Sequence, residues 1–280
     1  MTESALGERE FVLLRDLIKA HSGIALTELK RPLLQARLAK RLRRLGLQSY
    51  RAYYDYLVQH DRRAEERDHF INALTTNTTS FFREPHHFDY LTQVWLPDRR
   101  ARALQGAPRT LRIWSSACST GEEAYSLAIT LRQALPPMAG WGIHLLASDI
   151  DTDALDTARA AIYPCKSIAS VPEPLRRFFQ TGTGELAGLV RVVPQVRAMV
   201  TFARINLLGA AWPADTRFDC IFCRNVVIYF DEAGKQELVS RLATALAVDG
   251  LLVLGHSESL LGRSSRFRSL GRTMYRLDAA

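Results

Sequence analysis

Residues 111–125, LRIWSSACSTGEEAY, do most to limit what this chain can fold into. The apolar run from Leu111 to Trp114 reads as a strand. Small residues follow from Ser115 to Gly121, and a helical pattern then begins with Glu122 and Glu123 in its first turn. Carboxylates there face the positive end of the helix. A strand, a turn of small residues and a helix, in that order, open the ligand crevice of an open α/β sheet. Gly121 is the one glycine in the turn, so this is not the dinucleotide fingerprint, and no Gly-Lys-Ser/Thr follows to make a phosphate-binding loop. A tight turn that ends on a carboxylate suits a cationic or neutral nucleoside better than a polyphosphate. The same stretch also reads as an ordinary βα turn, because a fold does not fix a function.

The alternation of strand and helix continues toward the C-terminus. A helix over 122–135 stops at Pro136-Pro137, and residues 143–150, IHLLASDI, form a second strand with Asp149 at its carboxyl end. Asp149 lies roughly 25 residues past the crevice turn, near the spacing of about 20 at which an acid reaches ribose hydroxyls in such folds. Asp151 or Asp153 caps the helix that follows, and capping is the plain alternative for Asp149 too. Prolines and glycines then break the pattern over about 163–200, where GELAGLVRV reads as a hairpin with a strand at 189–193. Further strands are expected at 200–205, 218–228 and 251–255, with a helix at 232–247 and a closing hairpin over 267–277. The expected fold is therefore α/β, an open and mostly parallel sheet with helices on both faces and a small inserted β-subdomain.

The first 75 residues read differently. Phe11, Leu14, Leu17 and Ile18 recur at helical spacing, and Gly23 ends that helix. Residues 29–46, LKRPLLQARLAKRLRRLG, combine Pro32 near the start with Gly46 at the end. Leu34, Leu38, Leu42 and Leu45 make one apolar stripe, and Arg37, Lys40, Arg41 and Arg44 cover much of the rest. This basic amphipathic helix is either a solvated face or a docking face for an acidic partner. The formal charge of +8 permits nucleic acid, anionic lipid or acidic protein equally. The helix carries no aromatic residues between its charges, which argues against single-stranded nucleic acid. Tyr50, Tyr53, Tyr54 and Tyr56 follow at a spacing that suggests packing.

Between the two regions lies residues 75–87, TTNTTSFFREPHH. Pro85 discourages a continuous helix, and Phe81-Phe82 flanked by Asn77, Thr79 and Arg83 is unusual for a plain linker. It reads as a strap packed over the crevice, or as a well-packed interdomain segment. The domain division is then 1–75 helical, 76–90 linker and 91–280 the α/β domain with its insertion. Cys220 and Cys223 are spaced C-x-x-C, but residues three apart on a strand point to opposite faces and would not clasp one metal. The N-terminus lacks the layout of a secretory signal, and no apolar run is long enough to span a bilayer, so a cytoplasmic location is expected and the Asn77-Thr78-Thr79 sequon is set aside.

Six segments together resemble the bacterial chemotaxis receptor methyltransferases. They are NTTSFFREPHHF from Asn77, RIWSSACSTGEEAYSLA from Arg112, ASDIDTDAL from Ala147, GTGELAGLVRV from Gly182, FARINLL from Phe202 and FDCIFCRNVVIYFD from Phe218. They occur in the family's order and run through nearly the whole chain. The resemblance implies a helical N-terminal domain, a linker and a methyltransferase domain with an inserted β-subdomain. It implies an S-adenosylmethionine-dependent protein-glutamate O-methyltransferase, needing no metal, that esterifies receptor glutamates in sensory adaptation and releases S-adenosylhomocysteine. It places cofactor contacts on Asn77, Thr79 and Arg83, on Glu122 (or Glu123), and on Asp149, Asn206, Leu207, Arg224 and Asn225, to which the reading of the crevice turn itself adds Gly121. It places the active-site tyrosine at Tyr229 and an active-site arginine near Arg99, with Arg100 and Arg102 close by. Arg37, Lys40, Arg41 and Arg44 would read the acidic receptor helices, and the β insertion would capture a receptor tail peptide by adding a strand. A nucleic-acid methyltransferase, or a regulator that binds the cofactor without catalysis, would share the same crevice.

Overall fold

The computed structural model describes residues 5–61, 63–213, 216–260 and 266–278. The chain ends included in the expected domains, 1–4 and 279–280, lie outside these. Four helices come first: α1 (Glu8–Ser22), α2 (Arg31–Leu45), α3 (Tyr50–Asp55) and α4 (Glu65–Leu74). Gly23 and Gly46 both adopt left-handed backbone at the ends of α1 and α2, where a side chain would be strained. The expected stripe folds inward: Leu34, Leu38 and Leu42 bury against Phe11, Leu14, Ile18 and Tyr53 in a separate helical core. Two short helices, α5 (His86–Tyr90) and α6 (Leu96–Leu104), then lead into the sheet.

The main sheet has seven strands in the order β6-β2-β1-β7-β8-β10-β9. They are β1 (Thr110–Ser115), β2 (Gly142–Asp149), β6 (Val200–Arg204), β7 (Phe218–Cys223), β8 (Leu246–Leu254), β9 (Phe267–Gly271) and β10 (Met274–Leu277). The strands from β6 through β8 run parallel, and β10 and β9 close the edge antiparallel. From β1 the chain winds first through β2 to β6, then returns to the other side for β7 and β8. The order therefore reverses at β1, and the carboxyl ends there leave a crevice. Between β2 and β6, β3 (Ile162–Pro164), β4 (Phe179–Thr181) and β5 (Leu189–Val192) form a separate antiparallel sheet with β5 in the middle. Helices α7 (Glu122–Ala134), α8 (Thr152–Ala160), α9 (Pro194–Arg197) and α10 (Glu232–Ala245) complete the fold.

Two expectations need correction. The strand expected over 218–228 ends at Cys223, because Asn225 takes left-handed backbone (φ 58°) and turns the chain into a short 3-10 segment, Val227–Tyr229. The strand expected to start at 251 begins at Leu246, with an irregular register against β7 before Cys220. Asp151, and not Asp153, caps α8, accepting from the Ala154 N–H at 3.0 Å.

Candidate functional site

A hollow enclosing roughly 920 Å³ out to its mouth opens at the carboxyl ends of the central strands. Ser116, Ala117 and Ser119 line it from the β1 turn, Asp149 and Ile150 from β2, Ile205 to Leu207 from β6, and Arg224 to Val226 from β7. The strap residues Thr75 to Thr79 and Arg83 form one wall, and Ser22 and Ile24 reach in from the end of α1. Tyr229 and Phe230 close the remaining side.

Arg224 ties these walls together. Its guanidinium is buried and donates to Glu123 Oε2 at 3.0 Å and to the Arg83 carbonyl at 2.6 Å, and it lies 3.2 Å from Glu84 Oε2. One cation is thus shared by Glu123, which lines the hollow, and Glu84, which lies outside it. Burial pushes Glu84 upward, but Arg224 and His256 outweigh it and leave the carboxyl at about 2. Glu123 goes the other way: burial raises it more than Arg224 and the Ser115 hydroxyl lower it. Burial, with Arg224 adding, lowers His87 to about 4, so that its ring is neutral beside this network.

The strap is fixed to the second strand by its own polar groups. Asn77 Nδ2 and the Thr75 hydroxyl both donate to Asp151 Oδ2, at 2.7 and 2.5 Å, and the Ser119 hydroxyl donates to the Asn77 carbonyl. Arg83 donates to the Thr78 carbonyl at 2.8 Å, closing the strap on itself. Asp149 holds the crevice turn: one oxygen accepts from Ser119 N–H at 2.8 Å and the other from Asp151 N–H at 3.0 Å. Burial raises its carboxyl, partly offset by those two N–H groups. Asn206 accepts from Leu208 N–H and donates to the His21 carbonyl at 2.9 Å, joining the sheet to α1. The hollow combines apolar walls with charged groups of both signs and sits at the sheet's switch point.

The family described as CheR methyltransferase, SAM binding domain, matches residues 77–276, and the CheR methyltransferase all-alpha domain matches residues 9–75. The chain belongs to the CheR methyltransferase family. It is 46% identical to chemotaxis protein methyltransferase 2 of Pseudomonas aeruginosa over 271 residues, covering 95% of this chain and 92% of that one. It is 42% identical to the chemotaxis protein methyltransferase of Escherichia coli over 281 residues, covering 99% and 94%. As a family member it is a methyltransferase with a domain for S-adenosylmethionine. Among the described residues no helix is long and apolar enough to cross a membrane.

Of the cofactor contacts that the sequence suggested, Asn77, Thr79, Arg83, Asp149, Asn206, Leu207, Arg224 and Asn225 all line the hollow, as does Tyr229. Gly121 and Glu122 do not. Gly121 has left-handed backbone (φ 97°), and an added Cβ would lie 2.8 Å from that of Ala158, so this glycine serves the packing of α7 on α8. Glu122 turns away and accepts from the Thr120 hydroxyl at 2.6 Å, while Glu123 faces the hollow. The expected arginine is also misplaced. Arg99 lies at the amino end of the sheet, 3.9 Å from Asp219 and donating to the Asp249 carbonyl at 3.3 Å. Arg100 donates to the Ala134 carbonyl, and Arg102 pairs with Asp98 and Asp249. The arginines of the hollow are Arg83 and Arg224.

The basic helix divides in the same way. Arg41 is held by Glu66, whose Oε1 also accepts from the Tyr53 hydroxyl at 2.8 Å, and Arg37 donates to the Thr75 carbonyl at 2.6 Å. Both act inside the fold. Lys40 and Arg44 remain exposed, together with Arg43.

Cys220 and Cys223 belong to hydrophobic clusters on opposite faces of the sheet, as their spacing on a strand dictates. Glu84, His86 and His87 bring three possible metal ligands within 4.8 Å of one another. Glu84 is already paired with Arg224 and His256, which opposes a further cation there.

Proposed function

We propose that this protein transfers the methyl group of S-adenosylmethionine to glutamate carboxylates on the cytoplasmic helices of chemotaxis receptors. The products are glutamate methyl esters and S-adenosylhomocysteine. The observation that carries the reading is the hollow itself, which places Asp149, Asn206, Arg224, Arg83 and Tyr229 around one space in a chain of this family.

The residues fit the cofactor. Glu123 and Asp149 supply acceptors for a ligand that carries cationic groups and ribose hydroxyls, while Asn77, Thr79, Asn206, Leu207 and Asn225 offer neutral polar and apolar walls. Bound S-adenosylmethionine supplies a methyl group already activated on a sulfonium. The acceptor needs no strong base, since a glutamate carboxylate with a free pKa near 4 is ionised at neutral pH. The work left to the protein is alignment and exclusion of water. Arg83, which lines the hollow from the strap, orients the incoming carboxylate by charge-assisted hydrogen bonds. It takes the role that the sequence gave to Arg99. Its hold must stay moderate, or it would favour the ground state as much as the transition state. Tyr229 lines the approach. Lys40 and Arg44 guide the acidic receptor helix by long-range attraction. The three-stranded insertion offers strand edges at β3 and β4 to a receptor tail peptide.

Labelled S-adenosylmethionine and receptor cytoplasmic fragments test the proposal. Base-labile label on the receptor is expected, since a carboxyl ester hydrolyses in base and a methylated nitrogen does not. Base-stable label, or label on nucleic acid alone, would refute it.

A further inference from the structure

Glu258 lies in the turn after β8, distant in sequence from every segment that lines the hollow, yet it is only 4% exposed. Its carboxylate is saturated by backbone. Oε1 accepts from the N–H groups of Val226 at 2.9 Å and Val227 at 2.8 Å. Oε2 accepts from Asn225 at 2.8 Å and Gly255 at 2.6 Å. A carboxylate has about four acceptor sites and no donor, so each is filled. Three of the donors are consecutive N–H groups of the turn that follows Arg224, a concave arrangement that favours an anion. Asn225 in this turn holds left-handed backbone, which asparagine tolerates better than most residues with a side chain. Gly255 completes the fit, since a Cβ there would come within 2.4 Å of Asn225 Nδ2.

We infer that Glu258 is a positioning residue for methyl transfer. By gathering four backbone N–H groups it sets the shape of the turn over 224–227. That turn fixes Asn225 in the cofactor wall, and its continuation carries Tyr229. Glu258 itself does not line the hollow. The inference rests on the proposed function, and it concerns how that site is held in shape.

Titration of S-adenosylhomocysteine into the full chain and into Glu258→Gln, Glu258→Asp and Leu277→Ala variants tests this. Glutamine keeps the shape but turns two N–H donors toward the waiting N–H groups. Aspartate keeps the charge but is one methylene too short to reach both sides. Leu277 is buried in the same hydrophobic cluster as Val227 but sits on β10, so its truncation lowers stability without touching the turn. Both Glu258 variants are expected to bind at least tenfold more weakly and to show a raised KM for S-adenosylmethionine, with the KM for receptor unchanged. Leu277→Ala is expected to stay within twofold at a temperature where it is folded. In an Asn225→Ala background, Glu258→Gln is expected to add less than twofold. Wild-type affinity in a folded Glu258 variant would overturn the inference, as would an equal loss in Leu277→Ala. Failure of both Glu258 variants to fold would also overturn it, by making the residue a requirement of the fold. Absence of binding by the unaltered chain would instead defeat the proposed function.

Discussion

Two arginines stand at opposite ends of the same sheet, and both sit among acids. Arg224 follows the carboxyl end of β7, where it pairs with Glu123 and Glu84 at 3.0 and 3.2 Å. Arg99 lies by the amino end of β7, 3.9 Å from Asp219, with its guanidinium over the Trp95 ring. Their local chemistry is similar, yet one lines a cavity and the other braces a helix. In a parallel sheet of this order the loops at the carboxyl ends diverge at the switch point and leave a crevice there. The end of the sheet, more than the company of charges, separates an arginine that lines a cavity from one that braces a helix.

The contrast breaks most sharply at Arg224. Arg224→Met removes the cation shared by buried Glu123 and partly buried Glu84, and breaking a buried pair costs about 3–5 kcal/mol. Binding of S-adenosylhomocysteine should fall at least a hundredfold by calorimetry, with a lower melting temperature. Near-normal binding would mean that the network is not part of the site. The neighbouring glutamates sharpen the comparison at shorter range. Glu123→Gln should weaken binding about tenfold, the scale of one charge-assisted hydrogen bond of about 1.5–3 kcal/mol, and Glu122→Gln by less than twofold. The reverse order would assign the contact to Glu122 instead.

The exposed cations of α2 should behave differently again. A Lys40→Glu, Arg44→Glu double variant should raise the KM for receptor fragments about tenfold at low salt, with the deficit shrinking as salt screens the attraction. Cofactor binding should not change. An unaltered receptor KM at low salt would remove the docking role. The smallest effect belongs to Arg99. Arg99→Met should leave transfer and cofactor binding within twofold and cost at most about 1 kcal/mol in a denaturation experiment, as weak ion pairs do. A large loss of transfer would return the catalytic role to the amino end of the sheet.

Much of this was legible in the sequence, and the failures share a cause. Periodicity exposed the helical stripe of α2 and the strand–turn–helix around Gly121 because each depends on neighbours a few residues away. The ordered motifs of the family resemblance marked Asp149, Asn206 and Arg224, which line the hollow at or just past the ends of β2, β6 and β7. Glu122 and Glu123 are adjacent on one helix, about 100° apart, and only the packing of α7 decides which faces the hollow. Arg37 and Arg41 read as surface charges because Thr75 and Glu66, their partners, are 38 and 25 residues away in sequence. Glu258 carried no pattern at all: its four partners are backbone groups, three of them more than thirty residues earlier. The turn signal that could have located it was Arg224-Asn225, since asparagine tolerates left-handed backbone and the strand was bound to end there.

A crystal structure of the protein with S-adenosylhomocysteine tests the central claim most directly. The account predicts density in the hollow at the carboxyl ends of β1, β2, β6 and β7, in contact with Asp149, Asn206 and Asn225. Density in the separate groove behind the strap, lined by Phe82, Phe88 and Leu175, with the hollow empty, would contradict it.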